Sequence, residues 1–131
     1  MENGTLEQVI IFCADVNRLV QFYRDCFGLE PEGEPDDQWR VMKAGPAKIA
    51  FHKIGAVYQD GPPEDFRADS NTKLVFVIAS DLVVFRDKLV SQKAVMREIT
   101  QFPGADFLVC DGQDPEGNVF QVKQYLRLPP A

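Results

Sequence analysis

Asp15 to Pro31 reads DVNRLVQFYRDCFGLEP, and its order of residues sets the reading of the whole chain. Asp15 is a helix cap, because its short carboxylate can accept from the free N–H groups of a first turn. Val16, Leu19, Val20, Tyr23 and Phe27 then fall at i, i+3, i+4, i+7 and i+11, one face of a helix, and Gly28 supplies the stop. Upstream, Gln8 to Cys13 (QVIIFC) is a short apolar, β-branched run that reads as a strand apolar on both faces. Downstream, three extended segments are expected: Leu29 to Gly33, then QWRVMKA, then AKIAFHKI, the last two parted by a turn at Gly45-Pro46. The order is βαβββ.

That order recurs. Residues 55–72, GAVYQDGPPEDFRADSNT, form a polar, acidic stretch with adjacent prolines that reads as a connector. Lys73 to Ala79 (KLVFVIA) is a second apolar strand, and Asp81 stands where Asp15 stood, 66 residues earlier. Leu82, Phe85, Leu89 and Val90 make a second helical stripe. Extended segments at Val95 to Gln101, Phe107 to Cys110 and Asn118 to Gln124 complete the second βαβββ. One module is written twice, over about 6–54 and 73–126.

Composition narrows the function. The chain has 131 residues, 45% hydrophobic and 26% charged, the make-up of a single globular domain. No apolar run approaches the ~20 residues that cross a bilayer, and MENGTLEQ carries no secretory pattern, so a cytoplasmic location without a membrane partner is expected. A net charge of −6 disfavours nucleic acid as a partner. Cys13, Cys26 and Cys110 are odd in number and lack CxxC spacing, which argues against a disulfide framework and a zinc site. His52 is the one histidine, so chemistry that needs two imidazoles is excluded within one chain. Gly-rich phosphate loops, HExxH and GxSxG are absent.

The doubled βαβββ, with D-(x)6-FY on the first helix and DPEGNVFQVKQ at Asp114 to Gln124, resembles the vicinal oxygen chelate superfamily, which includes glyoxalase I, extradiol dioxygenases, fosfomycin-resistance enzymes and bleomycin-resistance proteins. The resemblance implies an α+β fold, two tandem modules in an incomplete rolled barrel with helices outside and ligands on the concave face. It places the metal ligands of the enzymes at Gln8, Ala50, Leu74 and Gln121 of this chain. Alanine and leucine coordinate nothing, and two amides lack the anionic or imidazole donors that offset desolvation of a divalent ion. No metal or other cofactor is therefore expected.

The expected inward lining is Gln8, Ile10, Phe12, Ala50, His52, Leu74, Phe76, Ile78, Gln121 and Lys123, with Trp39 and Tyr58 at the mouth. It is apolar with sparse polar groups, as a ligand pocket requires. The resemblance then implies a non-metal, drug-binding type of protein that holds an apolar or aromatic molecule, uncharged or cationic given the acidic balance, and that forms a homodimer. The alternative is a lyase, isomerase or dioxygenase-like enzyme with a rebuilt site at Gln8, His52 and Gln121, or with His52 as a general base.

Overall fold

The computed structural model describes residues 2–127. The chain divides into two compact units, residues 1–66 and 67–131, each carrying one βαβββ module.

In the first unit, β1 (Gln8–Cys13) leads to α1 (Val16–Phe27), then β2 (Glu30–Glu32), β3 (Trp39–Ala44) and β4 (Ala47–Lys53). The sheet order is β1-β4-β3-β2, with β1 parallel to β4 and the other pairs antiparallel. Asp15 caps α1 by accepting from the Arg18 N–H at 3.1 Å. Gly28, at φ 67°, closes it in the left-handed conformation that a side chain disfavours, donating its N–H to the Arg24 carbonyl. The helix buries Val16, Leu19, Val20, Phe22, Tyr23 and Cys26, a stripe wider than the spacing of apolar residues alone suggested. Tyr23 is its centre, stacked 5.5 Å from Phe51 and 5.9 Å from Phe27. Ile49, Phe51 and Met42 complete this core. Arg40 is buried with it, its guanidinium donating to the Glu32 and Gly33 carbonyls at 3.0 and 3.1 Å. A depression of about 590 Å³ beside the end of α1 is lined by Arg24, Gly28, Leu29, Glu30, Pro31 and Arg40.

In the second unit, β5 (Leu74–Val77) leads to α2 (Leu82–Ser91), β6 (Val95–Met96), β7 (Phe107–Gln113) and β8 (Val119–Tyr125), in the order β5-β8-β7-β6. Asp81 caps α2 through two N–H groups, Val83 at 2.8 Å and Val84 at 3.2 Å. The Leu82 N–H donates to Gln124 Oε1 at 2.8 Å, tying the start of the helix to β8. Only Leu82 and Leu89 of α2 are buried. Val90, expected in the stripe, is 47% exposed, because eight residues on from Leu82 it lies roughly 80° round the helix. Phe120, Val122 and Cys110 supply the sheet side of the core. Gly112 on β7 has to lack a side chain, since a β-carbon there would stand 2.6 Å from Phe120 Cζ.

Two segments differ from expectation. The strand expected over Val95 to Gln101 is cut to Val95–Met96, with an isolated bridge from Thr100 to Val109. Arg97 between them still donates its N–H to the Asp111 carbonyl at 2.8 Å, but its own carbonyl is taken by side chains, Arg86 Nε at 2.8 Å and Cys110 Sγ at 3.1 Å. The strand expected to stop at Cys110 instead runs on through Asp111 and Gly112 to Gln113. Within the connector, residues 56–58 and 63–65 form single 3-10 turns, and Tyr58 stands exposed on the first.

Candidate functional site

Each sheet has one face covered by its helix and an opposite face that is open at Ile10 and Phe12, or Val75 and Val77, on its edge strand and buried at Ala50 or Val109 further in, and cross-strand partners share a face. On the first sheet, Phe51 lies under Tyr23 of α1, so its neighbours Ala50 and His52 point to the open side. The pairing Ile10–Ala50–Val41 makes one row there, and Phe12–His52–Trp39 makes the next. Gln8 lies one row further out, opposite Lys48. The His52 ring centroid is 5.4 Å from Phe12 and 5.7 Å from Trp39, both at steep angles. Phe12 is 59% exposed and Ile10 is 45% exposed, large apolar side chains left bare on the edge strand β1. Six of the expected site residues, Gln8, Ile10, Phe12, Trp39, Ala50 and His52, therefore share one face.

The second sheet corrects the expected face of β5. Leu74 and Phe76 pair with Phe120 and Val122, which are fully buried on the helix side, whereas Val75 and Val77 pair with Gln121 and Lys123. Leu74 and Phe76 thus belong to the helix side, and the open face carries Val75 and Val77, 52% and 61% exposed. Ile78 lies beyond β5. The reason is one extra residue between strand and cap. Ile10 lies five residues before Asp15, but its counterpart Val75 lies six before Asp81, and a shift of one exchanges the faces of a strand.

The same row order brings in residues that were not expected. Val75–Gln121–Asp111 forms one row and Val77–Lys123–Val109 the next, followed by Phe107–Tyr125. Asp111 accepts from Gln121 Nε2 at 3.1 Å and pairs with Lys73 Nζ at 3.0 Å. Lys123 Nζ stands 4.0 Å from the Phe107 ring centroid and 4.7 Å from that of Tyr125. Asp111 was missed because the strand was expected to stop at Cys110, although alternation from Phe107 onward puts it on the face of Lys123 and Gln121.

The DPEGN segment is structural. Asp114 is buried, and its Oδ1 accepts from the Glu116 and Asn118 N–H groups at 2.9 and 3.0 Å while Oδ2 accepts from Asn118 Nδ2 at 2.9 Å. Gly117 takes φ 83° to close the turn. The Ala68 N–H donates to the Glu116 carbonyl at 2.7 Å, anchoring the start of the unit.

With the corrected register, the position in the second repeat that corresponds to Gln8 is Lys73. The four places that hold metal ligands in the enzymes then carry Gln8, Ala50, Lys73 and Gln121, that is, two amides, a methyl and an ammonium already paired with Asp111. This donor set does not fit a divalent ion. Among the described residues no group of three or more His, Cys, Asp or Glu side chains could hold a metal ion.

Two βαβββ units, each with its helix on one sheet face and the other face open, define an α+β repeat protein of the glyoxalase fold. The model of the Glyoxalase/Bleomycin resistance protein/Dioxygenase superfamily matches residues 5–122, and the chain belongs to that family. Among solved structures, an integron cassette protein from Vibrio cholerae is similar at 19% identity and a TM-score of 0.71, over 95% of this chain and 98% of that one. Lactoylglutathione lyase from Agrobacterium tumefaciens is similar at 16% identity and 0.71, over 95% and 96%. The fosfomycin resistance protein FosX from Mesorhizobium loti is similar at 13% and 0.66, over 95% and 93%. No curated protein matches significantly. No described helix is long and apolar enough to cross a membrane.

Proposed function

We propose that the protein binds a small apolar or aromatic molecule without turning it over, and that the open face of the first sheet receives it. The observation that carries this reading is the Phe12–His52–Trp39 row, three rings side by side with Phe12 largely exposed. A planar ligand laid against such rings gains about 0.5–1.5 kcal/mol per aromatic pair beyond the area it buries. The fold's occurrence in proteins named for fosfomycin resistance and lactoylglutathione lyase is in keeping with a small-molecule ligand. A homodimer is part of the same reading, since β1, β2, β5 and β6 are edge strands and an uncovered edge invites a second copy.

Trp39 is the single tryptophan, so its fluorescence reports on the row directly. A panel of neutral planar aromatics is expected to change that fluorescence and to raise the melting temperature, by about 2.7 kcal/mol of added stability at a hundred times the dissociation constant. Trp39→Leu is expected to weaken the best compound by about tenfold, the equivalent of one well-packed aromatic contact. A panel that moves neither signal, or one stoichiometric transition metal per purified chain together with lyase turnover, would overturn the reading. Sedimentation at micromolar concentration tests the dimer; a monomer throughout removes that part alone.

A further inference from the structure

We propose that the depression beside the end of α1 is an anion site, in which Arg40 and Arg24 receive the carboxylate of a small aliphatic acid. The site lies wholly within the first unit and on the helix side of its sheet, since Arg40 pairs with Phe51 and Phe51 stacks on Tyr23. The aromatic row occupies the opposite side, so neither site depends on the other.

A guanidinium stays charged throughout the physiological pH range, and a buried charge is ordinarily paired. Arg40 is only 8% exposed, yet it forms no ion pair among the described residues, and the acceptors it meets are the uncharged Glu32 and Gly33 carbonyls. A neutral amide side chain could donate to those carbonyls, so the link to residues 32 and 33 does not by itself call for a charge. The two carbonyls take Nε and Nη2, and Nη1 meets no acceptor among the described residues. Every fully enclosed side-chain nitrogen or oxygen there has a partner, so Nη1 is reached from solvent. Arg40 lines the depression of about 590 Å³, room enough for a small ligand.

The rest of the lining fixes the charge of that ligand. Arg24, exposed on the last turn of α1, lines the same depression and pairs with no carboxylate among the described residues. Glu30 is the one carboxylate in the lining, and it pairs with neither arginine. Two guanidinium charges against one carboxylate leave a single positive charge, in a chain that is otherwise acidic. The carbonyls at a helix end repel anions, but the Gly28 and Leu29 N–H groups already engage those of Arg24 and Tyr23. A carboxylate balances the remaining charge, whereas a phosphate dianion would turn the site negative. Leu29 and Pro31 in the lining suit a short hydrocarbon tail.

The test follows the backbone amide and Arg40 Nε–H resonances of the nitrogen-labelled protein while sodium propionate, sodium phosphate or sodium chloride is added at constant ionic strength and slightly alkaline pH, where phosphate is a dianion. Propionate is expected to shift the Gly28, Leu29 and Arg40 signals to saturation and to leave the Phe12 and His52 amides in place. Phosphate should bind more weakly, and chloride should give no saturable shift. Arg24→Gln should weaken propionate by about threefold and Glu30→Gln should strengthen it by about threefold, the size of one exposed charge contact. Both of these side chains are exposed, so neither variant depends on repacking the core. Arg40→Gln should abolish the shifts. Propionate shifts that never saturate, that chloride reproduces, or that ignore both surface variants overturn the proposal, and phosphate binding more tightly than propionate overturns the assignment to a carboxylate.

Discussion

The two units use one backbone plan and dress its open face differently. Where the first sheet carries Phe12, His52 and Trp39 in a row, the second carries Val77, Lys123 and Val109. Where the first carries Ile10, Ala50 and Val41, the second carries Val75, Gln121 and Asp111. The first face centres on a row of rings, and the second sets Gln121, Asp111 and Lys123 among valines. The covered faces diverge as well: α1 buries six side chains and α2 buries two. A repeated fold therefore does not imply a repeated role. The packing that defines the module is kept on one side of each sheet, and the chemistry on the other side is free to vary.

The largest expected effect lies in the thicker core. Phe51→Ala removes the ring that Tyr23 stacks on and should cost about 3–5 kcal/mol in urea denaturation. Val122 holds the equivalent place on β8, and Val122→Ala should cost roughly 1–2 kcal/mol, because only two methyl groups leave. Equal losses would show that the second core is as dense as the first, and the contrast would fail. The helix caps come next. Asp15→Ala and Asp81→Ala should each cost about 1 kcal/mol, since each carboxylate accepts from first-turn N–H groups. The smallest effect sharpens the comparison kinetically. All three thiols are buried, so the native protein should resist alkylation, and in mild urea Cys110 of the thinner unit should be labelled before Cys13 and Cys26. Burial pushes the Cys110 thiol above its usual range, against the opposing pull of Arg86. The fold thus favours the protonated thiol. Its contribution to stability is complete below the ordinary thiol range and is lost as pH rises through the higher folded value, which denaturation curves at successive alkaline pH values would detect.

The elements with strong local punctuation were readable in advance. Asp15, Gly28 and Asp81 bound the helices where the sequence placed them, and β3, β4 and β8 fall within a residue or two of their expected limits. The side of the first sheet that faces outward was readable too, through QVIIFC and AKIAFHKI. The face of β5 was not. KLVFVIA is apolar at every position, so alternation says nothing, and a count back from Asp81 transfers an offset that the longer strand-to-cap stretch does not share. Asp111, Phe107 and Tyr125 were missed for a related reason. Their place follows from the pairing of β7 with β8, and pairing is a long-range property that residue types do not announce. Lys123 was named as one polar group among several, and its confinement between two rings depended on those partners.

The strand order of each unit also has a mechanical consequence. In both sheets the first strand is bonded only to the fourth, and the two run parallel. Tension that enters at Gln8 and leaves at Lys53 acts at opposite ends of that pair, so it loads the whole ladder in shear instead of opening it bond by bond. The β1–β4 ladder spans six paired residues and the β5–β8 ladder four. A molecule stretched along its chain should therefore yield in two steps. The half with the short ladder and the sparse core gives way first, and the aromatic half is the last to let go.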